Sequence, residues 1–120
     1  MLILHLHFGG DCADAIALYE KAFNTKAENY DYRDNKIAHA RMKIHGQTVW
    51  LNDNDGIDGT AHLVLTFDTQ EELLACYDVL KMDVHNPAPF HETPYSKMVG
   101  GFLDKFGVLW SFILAEPGFV

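Results

Sequence analysis

Two cysteines in 120 residues, Cys12 and Cys76, belong to no CxxC pair, which excludes a disulfide framework and a cysteine-based zinc or redox motif. Cations are scarce as well. Nine Lys and Arg stand against seventeen Asp and Glu, a formal charge of −8, and the nine are scattered. Neutralising phosphates needs clustered Lys and Arg, so neither nucleic acid nor an anionic membrane surface is an expected partner. No apolar run approaches the ~20 residues of a membrane span. The opening MLILHLHFGG has no basic n-region and no cleavage site, so it is read as a strand and not as a signal peptide. With neither signal nor disulfides, the expected location is cytoplasmic. Gly9-Gly10 is followed by neither a GxGxxG spacing nor a P-loop lysine, which excludes a phosphate loop there. No Ser/His/Asp or Cys/His nucleophile arrangement can be placed, because both cysteines fall on predicted helices.

What the chain does have is repetition. The length suits one domain, and the 48% hydrophobic and 22% charged fractions suit a globular one. Residues 2–8 alternate, with Leu2, Leu4, Leu6 and Phe8 on one face and Ile3, His5 and His7 on the other, the period of a half-buried strand. Gly9-Gly10 ends it, and Asp11 is expected to cap a helix whose inner stripe is Cys12, Ile16, Tyr19 and Phe23. Strand-like runs follow near 26–32, 36–45 and 48–53, separated by the turn signals Asp34-Asn35 and His45-Gly46-Gln47. After Asn54–Gly59 the order recurs. Residues 61–67 put Leu63, Leu65 and Phe67 opposite His62, Val64 and Thr66, and Thr69 with Glu72 forms a capping box for a helix carrying Leu73, Cys76, Tyr77 and Leu80. Further strands are expected near 84–90, 97–104 and 109–115, and Pro87, Pro89 and Pro94 make the stretch 84–97 suit an edge strand or a loop. His5 and Asp11 return as His62 and Asp68, both displaced by 57 positions. Each half also carries a Gly and then a Trp at its last strand, Gly46/Trp50 and Gly107/Trp110. The reading is an α+β fold of two βαβββ modules, 1–54 and 60–116, within one domain spanning 1–120.

The segments GGDCADAIALYEKAF (9–23), IAHARMKIHGQTVWLND (37–53) and GGFLDKFGVLWSF (100–112) resemble the PhnB-like branch of the vicinal-oxygen-chelate superfamily. That superfamily holds glyoxalase I, extradiol dioxygenases and the bleomycin- and fosfomycin-resistance proteins. The resemblance implies paired modules whose sheets form a curled mixed sheet around a cleft, a small-molecule ligand and a homodimer. It implies no single reaction, since the superfamily includes several chemistries and pure binders.

If the apolar face of each sheet meets its helix, alternation sends the other face to that cleft. Ala38, Ala40, Met42, Ile44, Val49 and Leu51 go to the helix side. His5, His7, His39, Arg41, Trp50, Asn52, His62 and Ser111 go to the cleft side, an aromatic wall with polar groups of the kind small-molecule sites use. His39 has two readings: a general base tuned by Arg41, which makes it the candidate catalytic residue, or a cross-strand hydrogen-bonding residue. Arg41 suits a carboxylate or phosphate on the ligand. His5, His7, Trp50, Asn52 and Ser111 complete the candidate ligand-binding set. Metal-dependent relatives carry a His on the first strand of each module and a carboxylate on the last, a set for a divalent ion such as Zn, Ni, Mn or Fe. His62 matches the second of those His positions; the first falls on His5 by the internal repeat, or on Leu4 by alignment on Gly10-Asp11. The carboxylate positions fall on Trp50 or Asn52 and on Ser111, none of them charged, so no complete metal site is expected. Asp104-Lys105-Phe106-Gly107 is read as a turn that serves the fold. Four functional readings remain: a ligand-binding protein of unassigned reaction, a metal-dependent lyase, isomerase or dioxygenase, a ligand-sequestering resistance-type binder, and a domain with a filled cleft that serves only assembly.

Overall fold

The computed structural model describes residues 2–55, 61–82, 84 and 90–116. The chain divides into two compact units, Met1–Gly59 and Thr60–Val120. The first contains β1 (Leu4–Phe8), α1 (Cys12–Phe23), β2 (Glu28–Arg33), β3 (Lys36–Ile44) and β4 (Gln47–Asp53). The second contains β5 (His62–Phe67), α2 (Gln70–Leu80), β6 (His91–Thr93), β7 (Ser96–Leu103) and β8 (Leu109–Leu114). Each is a βαβββ module. The sheet orders are β1-β4-β3-β2 and β5-β8-β7-β6, with β1/β4 and β5/β8 parallel and the other pairs antiparallel. Among the described residues no helix is long and apolar enough to cross a membrane.

In the first unit, α1 packs on β3 and β4. Cys12, Ile16 and Tyr19 of its inner stripe are buried, and Phe23 is only half-buried at the helix end. They meet Ala40, Met42, Ile44, Val49 and Leu51, all 2% exposed or less, with Leu6 and Phe8 from β1. Each large apolar side chain withdrawn from water in this way contributes roughly 1.5–3 kcal/mol. Ile37 departs from the alternation: it is buried although it falls on the same side as His39. Both predicted turns form. Asp34 and Asn35 have φ of 52° and 63°, and His45 and Gly46 have φ of 50° and 77°, the left-handed pairs that match the twist of a two-residue hairpin.

The start of α1 differs from the expected cap. Asp11 occupies the N-cap position but its side chain makes no capping hydrogen bond. The carboxylate of Asp53 takes that role from across the fold. Its Oδ1 accepts from Gly10 N–H and Cys12 N–H, and its Oδ2 accepts from Ile37 N–H, all at 3.0 Å. A side chain at the end of β4 lies close enough to reach all three amides, whereas Asp11 at φ −112°, ψ 22° lacks the extended backbone that aims a capping side chain back at its own helix.

In the second unit Thr69 caps α2 as read, with Glu72 N–H donating to Thr69 Oγ1 at 3.1 Å, and the Glu72 carboxylate accepts from the Thr69 hydroxyl at 3.2 Å. Leu73, Cys76 and Leu80 of α2 are buried, as are Leu63, Phe67, Phe102, Trp110 and Phe112 of the sheet. The strand expected near 84–90 falls largely on 85–89, which lie outside the described residues, as do Pro87 and Pro89. The short edge strand of this sheet is His91–Thr93, just past them, and Pro94 sits in the turn to β7.

Aromatic packing here depends on one glycine. Phe90 lies over Gly100 and meets Tyr77 edge-on, and Tyr77 in turn meets Phe102. A Cβ added at Gly100 would stand 2.5 Å from Phe90 Cδ1 and 3.1 Å from its Cγ, so the whole ring must move. At Gly101 the nearest atoms are 3.4 and 3.5 Å away. Gly100→Ala is expected to cost about 1–3 kcal/mol by overpacking while Gly101→Ala is tolerated, as read by paired denaturant titrations. Equal costs would remove this account of Gly100.

Candidate functional site

On the face of the first sheet opposite α1, parallel pairing sets His5 beside Trp50 and His7 beside Asn52, and antiparallel pairing sets Arg41 beside Trp50 from the other flank. Alternation therefore brings His5, His7, His39, Arg41, Trp50 and Asn52 to one surface. His5 is exposed, and the other five are half-buried. The rings of His5 and His7 lie 4.2 Å apart, as residues two apart on one strand face allow. Trp50 meets both His5 (5.8 Å, 82°) and His39 (5.1 Å, 81°) edge-on. His7 Nδ1 lies 2.6 Å from Asn52 Oδ1; an amide oxygen only accepts, so the imidazole carries its proton on Nδ1 and the Asn52 NH₂ is left as a donor. Burial, and then the fields of His7 and His39, hold the His5 pKa below the usual histidine value. Arg41 reaches Glu28 of β2 at 3.3 Å, in a pair whose side chains are 43% and 66% exposed. The reading of the sequence did not include Glu28. Only the β2–β3 register, Glu28 opposite Arg41, reveals it.

The second sheet presents a different surface. His62 is exposed, and its Nε2 lies 2.8 Å from Ser111 Oγ, the two joined diagonally across β5 and β8. Around them Val64 is 55% exposed and Leu103 37% exposed, so this face is mostly apolar. The register also corrects one part of the internal repeat. His5 pairs with Trp50 and His62 pairs with Leu109, which makes Leu109, not Trp110, the counterpart of Trp50. Trp110 is fully buried on the helix side of its sheet. One residue of slip in the Gly-to-Trp spacing is enough, because each step along a strand changes face.

The donor set does not fit the metal pattern of the metal-dependent relatives. Trp50 or Asn52 and Ser111 stand where the resemblance puts a carboxylate, Ser111 holds the His62 imidazole, and among the described residues no group of three or more His, Cys, Asp or Glu is placed to hold a metal ion. Asp53 is committed to backbone amides, and Glu116 accepts from Lys97 N–H at 3.1 Å. Nucleophilic thiols are also excluded. Burial pushes Cys12 and Cys76 up to about 12, so at neutral pH both remain protonated. For Cys12, Asp53 and Asp11 add to the effect of burial.

Comparison with known proteins agrees with this architecture. A curated relative, Protein YjdN of Escherichia coli K12, is 28% identical, with 88% of this chain and 89% of that protein covered. Among solved structures, protein PA1353 of Pseudomonas aeruginosa superposes with a TM-score of 0.83 at 24% identity over 96% of this chain and 97% of that one. A PhnB protein of Bacillus cereus superposes with a TM-score of 0.81 at 26% identity over 95% and 98%. The sequence model of the Glyoxalase/Bleomycin resistance protein/Dioxygenase superfamily matches residues 3–112. With that match over nearly the whole chain and the PhnB protein among its structural neighbours, this chain belongs to the glyoxalase/bleomycin-resistance/dioxygenase superfamily.

Proposed function

We propose that the protein binds a small organic molecule on the open face of its first sheet, with His5, His7, Arg41, Trp50 and Asn52 as the contacting residues. One observation carries this reading: four rings and two hydrogen-bonding side chains share a surface that the helix leaves uncovered, where an ordinary sheet would present solvated charges. Superfamily membership supports it, since the fold is used for small-molecule recognition and commonly within a homodimer. His39, edge-on to Trp50, is the residue we assign as general base if the bound molecule is also turned over. Ser111 and His62, held by each other, form a second polar point on the other sheet.

Binding without a resident metal is the preferred form, because the positions that supply carboxylates in metal-dependent relatives fall here on Trp50 or Asn52 and on Ser111, none of them charged. A thermal-shift screen of small organic acids, phenols and heterocycles is expected to give hits whose stabilisation is lost in Trp50→Ala, a variant that stays folded because Trp50 is not core. Stabilisation that persists in Trp50→Ala would move the ligand elsewhere. Near-stoichiometric metal in protein prepared without a His-tag, lost on His62→Ala, would replace this reading with the metal-dependent lyase, isomerase or dioxygenase.

A further inference from the structure

The hydrogen-bonding groups of the first sheet's open face are mostly donors. Asn52 Oδ1 is taken up by His7, which leaves the amide NH₂ as the outward group. Arg41 has five N–H donors and no acceptor. The acceptors there are the free imidazole ring nitrogens, Thr48 Oγ1 and the Glu28 carboxylate opposite Arg41. A surface so composed is complementary to a ligand rich in acceptors, and its edge-on rings suit a flat one. The carboxylate that meets Arg41 is Glu28, which lies on the edge strand β2 where all six residues are exposed. An ion pair this exposed contributes little, so Arg41 can exchange it for another carboxylate at small cost. The other local charges have partners of their own: Asp31, opposite His39 in the register, pairs with Arg33 at 3.6 Å, and Lys43, two residues along β3 from Arg41, donates to Thr48 Oγ1 at 2.9 Å.

We infer that this face selects a flat organic anion, a carboxylate or phosphoryl compound, and that Glu28 sets the affinity by competing with the ligand for Arg41. The inference rests on the proposed binding function and adds the chemical class of the ligand and a residue that limits its affinity. Glu28 is then a specificity residue of unusual sign, since removing it improves binding. A neutral ligand of the same shape gains nothing from its removal.

Benzoate and its neutral isostere benzamide test this at pH 7, followed by ¹H–¹⁵N NMR titration with the backbone and Trp50 indole signals as reporters. In the unmodified protein benzoate is expected to bind about tenfold more tightly than benzamide, the worth of one charge-assisted contact. Arg41→Gln should bring benzoate to the benzamide level and leave benzamide unchanged. Glu28→Gln should tighten benzoate about threefold to fivefold, again without effect on benzamide. Both substitutions lie at exposed or half-exposed positions, and the unperturbed amide spectrum verifies folding. Equal affinities for the two probes, both shifting Trp50 and His39 signals, would overturn the anion inference while leaving the binding function intact. Parallel losses for both probes in Arg41→Gln would reduce Arg41 to a sheet-holding residue and overturn the inference too. Absence of any shift on this face with either probe would remove both readings.

Discussion

Asp104→Ala is expected to lower the unfolding free energy by about 3–5 kcal/mol, a large part of what a domain of this size has. Asp104 is 2% exposed and sits between β7 and β8. Its Oδ1 accepts from Phe106 N–H at 2.9 Å and Val108 N–H at 3.0 Å, and its Oδ2 accepts from the Trp110 indole N–H at 2.8 Å. Trp110 is itself fully buried, so its N–H has no access to water once the carboxylate is gone. Removing one partner of a buried hydrogen-bonded group leaves the others to carry the full desolvation cost. The backbone of the turn adds bonds from Asp104 N–H to Val108 O and from Gly107 N–H to Asp104 O, with Gly107 at φ 89° supplying a conformation that other residues adopt at a cost. The check is a calorimetric scan, where a fall of about 10–20 °C in Tm corresponds to that energy. A Tm within about 3 °C of the unmodified protein would show that the carboxylate does not hold this turn. Asp104→Asn separates charge from shape: it keeps one acceptor oxygen and turns an NH₂ toward donors, so an intermediate loss is expected.

The same residues show how much of the molecule could be read without coordinates. The order of strands and helices was legible because period-two and period-3.6 patterns alternate cleanly, and because Thr69/Glu72, Asp34-Asn35 and His45-Gly46 are local signals acting on their own neighbourhoods. The separation of His5, His7, His39, Arg41, Trp50 and Asn52 from Leu6, Ala40, Met42, Val49 and Leu51 followed from alternation alone. Whatever depended on pairing register was not legible. Glu28 reaches Arg41 only because β2 runs back along β3 in that register, and the β2 chain slips twice on the way. The Trp50/Trp110 correspondence failed for the same reason, since a difference of one residue between the modules moves a side chain through the sheet. The motif Asp104–Gly107 announced a turn, but the indole that its carboxylate holds lies on the next strand.

The Asp53 carboxylate acts across the fold, and its loss is the second large effect expected. Asp53→Ala should cost about 2–4 kcal/mol, because three backbone amides lose their acceptor together: Gly10, Cys12 and Ile37. Cys12 begins α1 and Gly10 leads into it, where an anion also meets the positive end of the helix dipole, and Ile37 lies in the first residues of β3. Water can replace part of what is lost at the exposed Gly10 bond, which keeps the estimate below that for Asp104. The bonds at Cys12 and Ile37 are part-buried and have less access to water. Asp11 offers no substitute, since its side chain makes no capping bond as it stands. The effect extends to the candidate site because Asn52 and Trp50 precede Asp53 on β4 and their positions follow from that strand's hold on its neighbours. Urea titration is expected to show a lower midpoint with an unchanged slope, the mark of lost stability within the same two-state transition. Hydrogen exchange should quicken first at Cys12, Ala15 and Ile37, ahead of the β3–β4 ladder. Uniform quickening across both units, or none, would mean that Asp53 does not tie the helix and β3 to the end of β4.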